Sequence, residues 1–231
     1  MANYNNIKPI TLKWEGGLSR NTKDNASKYP SPYKYQGKTG WHTNKGITYQ
    51  TFEAGSKAFG FENNATNFLK MPQDIWDKIA KGFYWDKYKL DQLNSDGLAL
   101  LIFSWGWGAG VGWHPRMQRY LKSKGITWNR TSDTLTQALN ILLRYQGEKQ
   151  TIDEVSNQQK EFYQSLHQPS FTQGWLNRVS DTTAQALTYI KENIINPLTD
   201  DDEKKKYKSI ALIVLSIGVL YLLKKGLRTK I

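Results

Sequence analysis

Cysteine is absent from the 231 residues, so this chain has neither a disulfide framework nor a cysteine-ligated metal site. Histidine is scarce as well. The three histidines, His42, His114 and His167, lie too far apart for the close ligand spacing that is typical of a zinc site. The sequence therefore predicts chemistry that needs no metal ion and no cofactor.

Acidic residues are fewer than basic ones, and the net charge of +12 raises the question of nucleic-acid binding. Residues 204–231 carry eight of the basic residues and no acidic one, so that the rest of the chain has a net charge of only +4. Because these basic residues flank an apolar run, they favour a membrane surface as partner. We expect no nucleic acid as a partner, and binding of nucleic acid through the tail is the rival interpretation.

Long apolar runs are almost missing too, apart from 15 uncharged residues at 209–223. A membrane-spanning helix usually needs about 20 residues, but Lys208 and Lys224 at the two ends can reach the interface. We expect a transmembrane helix here, and a buried core helix is the alternative. The C-terminal part then divides into a charged linker (196–208), the transmembrane helix (209–223) and a basic tail (224–231). The first residues have no apolar stretch that is typical of a secretory signal.

The remaining residues, 1–195, predict one mostly α-helical domain with a small irregular or hairpin lobe. Residues 18–45 are rich in Ser, Asn, Lys, Tyr, Gly and Pro, which is typical of a hairpin or an irregular lip. Apolar spacing predicts helices elsewhere, and the segment 91–107 is apolar enough to form a buried central helix. The other predicted helices are 6–15, 48–56, 72–86, 115–124, 132–148, 151–166 and 175–195.

Trp14, Glu15, Gly16 and Gly17 form the first motif that suggests chemistry. We expect Glu15 at the end of the first helix, with a glycine in the left-handed conformation ending it. An aromatic neighbour disfavours the charged form of a carboxyl group, and the glycines let a polymer approach the backbone. General-acid catalysis on a sugar needs such an acid, although a solvated surface charge is the simpler interpretation.

Three further polar residues follow within thirty positions. Asp24, nine residues after Glu15, can stabilise positive charge or hold a water molecule. Thr43 can position that water, and His42 beside it is either a hydrogen-bonding residue of the loop or a base. The simpler interpretations are a turn residue for Asp24 and a cap for Thr43.

The segment EGG…D…GWHTNKGIT resembles glycoside hydrolase family 108, the lysozyme-like muramidases of phage and bacterial lysis proteins. The resemblance spans roughly residues 7–180 and rests on four groups of residues. They are Glu15-Gly16-Gly17 with Asp24, Thr43 with Gly46-Ile47-Thr48, the run Phe83-Tyr84-Trp85, and Gly174-Trp175-Leu176-Asn177-Arg178-Val179. The sequence departs from the family in an insertion after Asp24 and in the central helix. Residues 112–180 only faintly resemble the family's peptidoglycan-binding half.

The resemblance implies an α+β lysozyme-like fold, with Glu15 as the catalytic acid and with Asp24 and Thr43 in the active site. In the central helix the family's polar residues are replaced by a Trp-rich run. We therefore expect the sugar to be bound by Trp41, His42, Trp105 and Trp107.

These expectations predict an N-acetylmuramidase that cleaves the β-1,4 bond between N-acetylmuramic acid and N-acetylglucosamine of peptidoglycan. The anchor predicts a phage lytic enzyme in the host inner membrane or in the internal membrane of a virion, where virion proteins are further expected partners. Two alternatives remain: a lytic transglycosylase with Glu15 as its sole acid and base, and an inactive lysozyme-like structural membrane protein.

Overall fold

The computed structural model describes residues 1–190. They divide into two compact units, an N-terminal unit of residues 3–87 and a C-terminal unit that contains Met1, Ala2 and the chain from Tyr88 onward. The domain predicted over 1–195 thus contains two compact units. The predicted linker (196–208), transmembrane helix (209–223) and basic tail (224–231) lie outside the described residues.

The N-terminal unit combines short helices with one β-hairpin. Its elements are α1 (Tyr4–Leu12), a 3-10 helix (Asn25–Lys28), β1 (Thr43–Asn44), β2 (Ile47–Thr48), α2 (Tyr49–Phe59), α3 (Ala65–Lys70), α4 (Gln73–Ala80) and a π-helical turn (Lys81–Trp85). The two strands are antiparallel, with Thr43 opposite Thr48. Lys45 and Gly46 at the hairpin tip both have positive φ, 45° and 76°, as the tightest hairpin turns require.

Side chains tie this hairpin to the helices around it. Asn44 donates to the carbonyl oxygens of Phe68 and Leu69, at 2.7 and 2.9 Å, next to the end of α3. The indole of Trp76 in α4 donates to the carbonyl of Lys45 at 2.9 Å. Because Asn44 and Trp76 are both buried, these bonds fix the hairpin against the core of the unit.

All the regular elements in the described part of the C-terminal unit are helices. Its elements are two 3-10 helices (Asp86–Tyr88, which begins at the boundary, and Leu90–Gln92), α5 (Asp96–Ala109), α6 (His114–Ser123), α7 (Ser132–Gln146), α8 (Glu148–Ser165) and α9 (Pro169–Thr188). Ser95 caps α5 by accepting from the backbone N–H of Leu98 at 2.8 Å. Eleven of the 14 residues of α5 are buried, and α8 and α9 pack against it.

The mostly helical fold with one small hairpin agrees with the predicted α+β class, and the buried central helix is confirmed as α5. One local prediction was wrong. The first helix ends at Leu12, before Glu15, and neither Gly16 nor Gly17 has positive φ. The helix predicted over 72–86 is confirmed, although it is an α-helix only as far as Ala80 and continues as the π-helical turn. Within residues 1–190, no helix has the length and apolar character needed to cross a bilayer.

Candidate active site

Glu15 lies in a turn that directly follows α1. The backbone N–H groups of Trp14 and Glu15 donate to the carbonyls of Thr11 and Leu12, at 3.1 and 3.0 Å, so the turn continues the direction of the helix for one step. Glu15 itself is half-buried. A Cβ atom added at Gly16 or Gly17 would meet no atom within 4 Å, and the backbone beside Glu15 is therefore open to a polymer on that side.

Tyr84, on the π-helical turn, lies within electrostatic reach of Glu15. Burial raises the pKa of Tyr84, a hydrogen bond with Thr51 lowers it, and the charge of Glu15 raises it again. The phenol therefore stays neutral at physiological pH, within electrostatic reach of the Glu15 carboxyl group. Single π-helical turns are frequent at functional sites.

Two threonines connect Tyr84 to the hairpin. The hydroxyl of Thr48 caps α2 by accepting from the backbone N–H of Thr51 at 3.2 Å. The two threonine hydroxyls are 2.9 Å apart, and that of Thr51 also bonds to Tyr84. A series of three hydroxyl groups thus runs from the end of β2 to the neighbourhood of Glu15.

The segment after Glu15 is held against the hairpin through Ser19. The backbone N–H of Ser19 donates to the carbonyl of Thr43 at 2.8 Å, and its carbonyl accepts from the N–H of His42 at 3.0 Å. This two-bond bridge pairs Thr43 with Ser19. Ser19 itself follows Glu15 closely in the chain. The structure therefore brings both predicted residues into one substructure.

His42 connects Thr43 to the loop that carries Asp24. Its Nδ1 is 2.9 Å from Oγ1 of Thr43, and its Nε2 is 3.2 Å from the carbonyl oxygen of Asn21. Since a carbonyl only accepts, Nε2 carries the proton, and in the neutral ring Nδ1 accepts from the threonine hydroxyl. The lone pairs of Oγ1 are then left for another donor, such as a water molecule.

Asp24 begins the 3-10 helix (Asn25–Lys28) and is half-buried. Its Oδ1 accepts from the backbone N–H of Ala26 at 2.9 Å, and its own N–H donates to the carbonyl of Asn21 at 3.0 Å. Asp24 is therefore a turn residue, as the simpler interpretation of the sequence predicts. The carbonyl that binds His42 also holds Asp24, so the loop bearing the second carboxylate is fixed to the same hairpin.

Trp41 is the predicted sugar-binding residue with an accessible ring. It is half-buried, and its indole N–H donates to the carbonyl of Lys38 at 3.0 Å. The ring of Tyr35 packs edge-on against it with a centroid distance of 6.0 Å, and the guanidinium of Arg20 lies 5.6 Å from the ring centroid. Tyr35 is 44% exposed, so this pair offers an aromatic surface of the kind that sugars stack on.

The other three predicted sugar-binding residues have core positions. His42 has no exposed surface, and its ring serves the loop hydrogen bonds described above. Trp105 and Trp107 are 1% and 8% exposed. Trp105 stacks on Trp113 at 5.1 Å, which fills the interior of the C-terminal unit. The prediction of a tryptophan-lined surface on α5 is thus corrected, because these rings present no free face.

Thr51 belongs to the site but was not predicted from the sequence. The signal for it is weak, because the cap pair Thr48 and Thr51 has the ordinary spacing of a helix start. Tyr84 was noticed through the family resemblance, but its place beside Glu15 depends on the π-helical turn.

Comparisons with known proteins concern the segment that carries this site and the fold of the chain. Residues 9–110 match the family model described as Glycosyl hydrolase 108, a segment that contains Glu15, Asp24, Thr43 and Tyr84. The match supports assigning that segment to this family and to the glycosidase class. The chain is also similar to a solved structure described as that of Brucella abortus SagA, with 19% identity and a TM-score of 0.59 over 83% of this chain and 97% of the other. At that identity the likeness concerns the fold. No curated protein matches the sequence significantly.

Proposed function

We propose that this chain is a peptidoglycan hydrolase that cleaves the β-1,4 bond between N-acetylmuramic acid and N-acetylglucosamine. The observation that carries the proposal is the position of Glu15, next to the open backbone of Gly16 and Gly17 and within electrostatic reach of Tyr84. The family match of residues 9–110 supports a glycosidase, and peptidoglycan is the substrate that it implies.

In the proposed mechanism Glu15 donates a proton to the glycosidic oxygen. The bond then breaks through an oxocarbenium-like transition state, and a water molecule attacks the anomeric carbon. The proton that this water releases replaces the one that Glu15 gave up. Thr43 accepts a hydrogen bond from that water, because its own hydroxyl hydrogen is directed to His42. Asp24 stabilises the developing positive charge, and Trp41 with Tyr35 stacks on a neighbouring sugar.

Loss of turbidity of purified peptidoglycan tests the reaction, with the full chain in mild detergent. We expect Glu15→Gln to lower the rate by roughly 10²–10⁴-fold, the contribution that general-acid catalysis typically makes. Glu62→Gln is the matched control, because Glu62 is an exposed carboxylate of the same unit. A folded Glu15→Gln chain that clears the suspension like the wild type would overturn the proposal.

The products distinguish hydrolysis from transglycosylation. Hydrolysis adds one water to each cleaved bond, whereas a lytic transglycosylase leaves an anhydro ring that is one water lighter. We expect mass spectrometry to find the hydrated ends. If all product ends were anhydro, the protein would be a lytic transglycosylase and not a hydrolase. Asp24→Asn would then leave the rate unchanged.

The location that we propose is a membrane, reached through residues 209–223, in a phage lytic protein that acts at the host inner membrane or within a virion. The support is the sequence alone: an apolar run between lysine-rich flanks. We expect the full chain to float with phospholipid vesicles and the Val214→Asp/Leu215→Asp variant to stay at the bottom of the gradient. Equal flotation of the two chains would refute the anchor.

A further inference from the structure

Arg20 lies at the edge of the candidate active site, and no step of the proposed mechanism uses it. It directly follows Ser19, whose backbone N–H donates to the carbonyl of Thr43 at 2.8 Å. Its guanidinium lies over the ring of Trp41, 5.6 Å from the centroid, and Trp41 is two residues before Thr43 in the chain. Arg20 is therefore next to both the threonine and the aromatic surface of the site.

The charge of Arg20 has no acidic partner within the part of the chain that the structure describes. The side chain is exposed. Lys8 in the same unit, by contrast, pairs with Asp77 at 2.9 Å. Asp24 is the one acidic residue of the segment 16–48, and its Oδ1 accepts from a backbone N–H. An exposed guanidinium without a carboxylate partner is available to an anionic group of a ligand.

The ring beneath the guanidinium is held in place by a tight turn. Tyr35 and Lys38 exchange two backbone hydrogen bonds, at 2.9 and 3.0 Å, across Gln36 and Gly37, whose φ values are 50° and 72°. The indole N–H of Trp41 donates to the carbonyl of Lys38 at 3.0 Å. The cation therefore lies over a ring whose position is fixed before a ligand binds.

The two sugars of the proposed substrate differ in one substituent. N-acetylmuramic acid is N-acetylglucosamine with a lactyl ether, and the lactyl group ends in a carboxyl group. A sugar stacked on Trp41 and Tyr35 brings its substituents to the edge of this aromatic surface, beside the guanidinium. The planar guanidinium can bind a carboxylate through two parallel N–H···O bonds, whereas N-acetylglucosamine has no charged acceptor. Arginine at this position therefore distinguishes the two sugars.

We propose that Arg20 is a specificity-determining residue that binds the lactyl carboxylate of an N-acetylmuramic acid ring stacked on Trp41. The inference rests on the proposed function, which supplies the glycan strand, and it names the sugar bound at this surface. In strands that carry peptides the lactyl group has a neutral amide carbonyl, to which the guanidinium donates more weakly. Chitin, which contains N-acetylglucosamine alone, has neither acceptor. The preference for wall glycan over chitin is therefore assigned to Arg20.

Binding is measured first, without turnover. The full chain carrying Glu15→Gln, in mild detergent, is titrated calorimetrically with peptide-free glycan strands, with the same strands after amidation of their carboxyl groups, and with chitin oligosaccharides of equal length. We expect the acidic strands to bind at least about tenfold more tightly than the other two ligands. Adding Arg20→Gln should remove this preference by weakening the binding of the acidic strands alone.

Two further variants separate the guanidinium from charge in general. Lys23→Gln makes the same change in net charge three residues along the loop, at an exposed side chain, and should leave the preference intact. Arg20→Lys keeps the charge without the planar fork and should retain part of the preference. The proposal is overturned if the acidic strands do not bind or bind no better than the amidated ones. It is also overturned if Arg20→Gln weakens all three ligands equally or if Lys23→Gln has the same effect as Arg20→Gln.

Turnover separates this inference from the proposed function. With Glu15 intact, we expect Arg20→Gln to raise KM for the acidic strands about tenfold with kcat little changed, and to leave KM for the amidated strands unchanged. An unchanged KM for the acidic strands would contradict the role of Arg20. If the wild type cleaved no wall glycan, the proposed function would fail, and the binding titration would still decide the role of Arg20.

Discussion

His42 Nδ1 lies 2.9 Å from Thr43 Oγ1, and this contact determines which way the threonine hydroxyl points. The imidazole is fully buried, and its other nitrogen is used by the carbonyl of Asn21. A hydroxyl whose hydrogen is fixed in one direction offers its lone pairs in another. The buried histidine is therefore a positioning residue for a group that can hold water, and the same ring fastens the loop of Asp24.

Replacing Thr43 by valine removes this hydroxyl while keeping the shape of the side chain. We expect kcat to fall about 10- to 100-fold with little change in KM, because a misplaced water costs rate more than binding. Thr43→Ser keeps the hydroxyl and should retain most of the activity. Steady-state kinetics on soluble glycan strands measures both variants, and a Thr43→Val enzyme as fast as the wild type would remove Thr43 from the mechanism.

His42→Ala tests the positioning role through non-additivity. The variant loses two part-buried hydrogen bonds of a buried ring and leaves a cavity, so the free energy of unfolding should drop by about 2–4 kcal/mol in urea denaturation. In this background the hydroxyl of Thr43 is no longer directed, and Thr43→Val should then change kcat by much less than in the wild type. Full additivity of the two changes would mean that His42 has only a structural role.

The charge of Glu15 should change the pH at which Tyr84 loses its proton. Burial and the Glu15 charge both raise the pKa of Tyr84, so removing that charge should bring it part of the way back. NMR of ring-labelled tyrosine, with Tyr84→Phe to assign the signal, should show deprotonation at lower pH in Glu15→Gln than in the wild type. Glu53→Gln, whose carboxylate raises the pKa of Tyr29, is the control that should leave Tyr84 unchanged.

Some of this site can be predicted from sequence because it depends on local motifs. Glu15 could be selected because Trp14, Gly16 and Gly17 are its neighbours in the chain, although the helix before it ends earlier than predicted. The role of Tyr84 is different, because it depends on a π-helical turn that no local spacing encodes. Trp105 shows the opposite error. The apolar run that predicts a buried helix also implies that the tryptophans within it are buried, and the helix prediction already argued against a sugar-binding surface there.

Glu154 should make the stability of the C-terminal unit depend on acid pH. Partial burial raises its pKa, but hydrogen bonds from Gln150, Lys124, Tyr120 and Gln146 outweigh this and hold the pKa at about 2. A carboxyl group with a depressed folded-state pKa stabilises the fold above its unfolded-state pKa, near 4.3, and that stability is lost as pH falls toward 2.

We therefore expect Glu154→Gln to lower the free energy of unfolding by about 1–2 kcal/mol at pH 7, after allowance for solvent screening. The difference from the wild type should shrink between pH 5 and pH 2. Asp153→Asn, which removes an exposed pair with Lys149, should have little effect at any pH. Urea denaturation across this range measures all three chains, and a difference that stays constant with pH would contradict the assignment.

Two glycines in helices of the C-terminal unit should respond to alanine with opposite signs. At Gly97 in α5 an added Cβ would collide with the carbonyl oxygen of Ala186 in α9, and it would lie 2.8 Å from Cδ1 of Ile152. Because backbone cannot move aside cheaply, Gly97→Ala should destabilise the unit by about 1–3 kcal/mol.

At Gly174 in α9 an added Cβ meets no atom within 4 Å, and the residue is exposed. Here Gly174→Ala should stabilise by up to about 1 kcal/mol, since alanine has the higher helix propensity. Thermal and urea unfolding of the two variants measures the pair. If Gly97→Ala left stability unchanged or raised it, the close contact of α5 with α9 at Gly97 would be refuted.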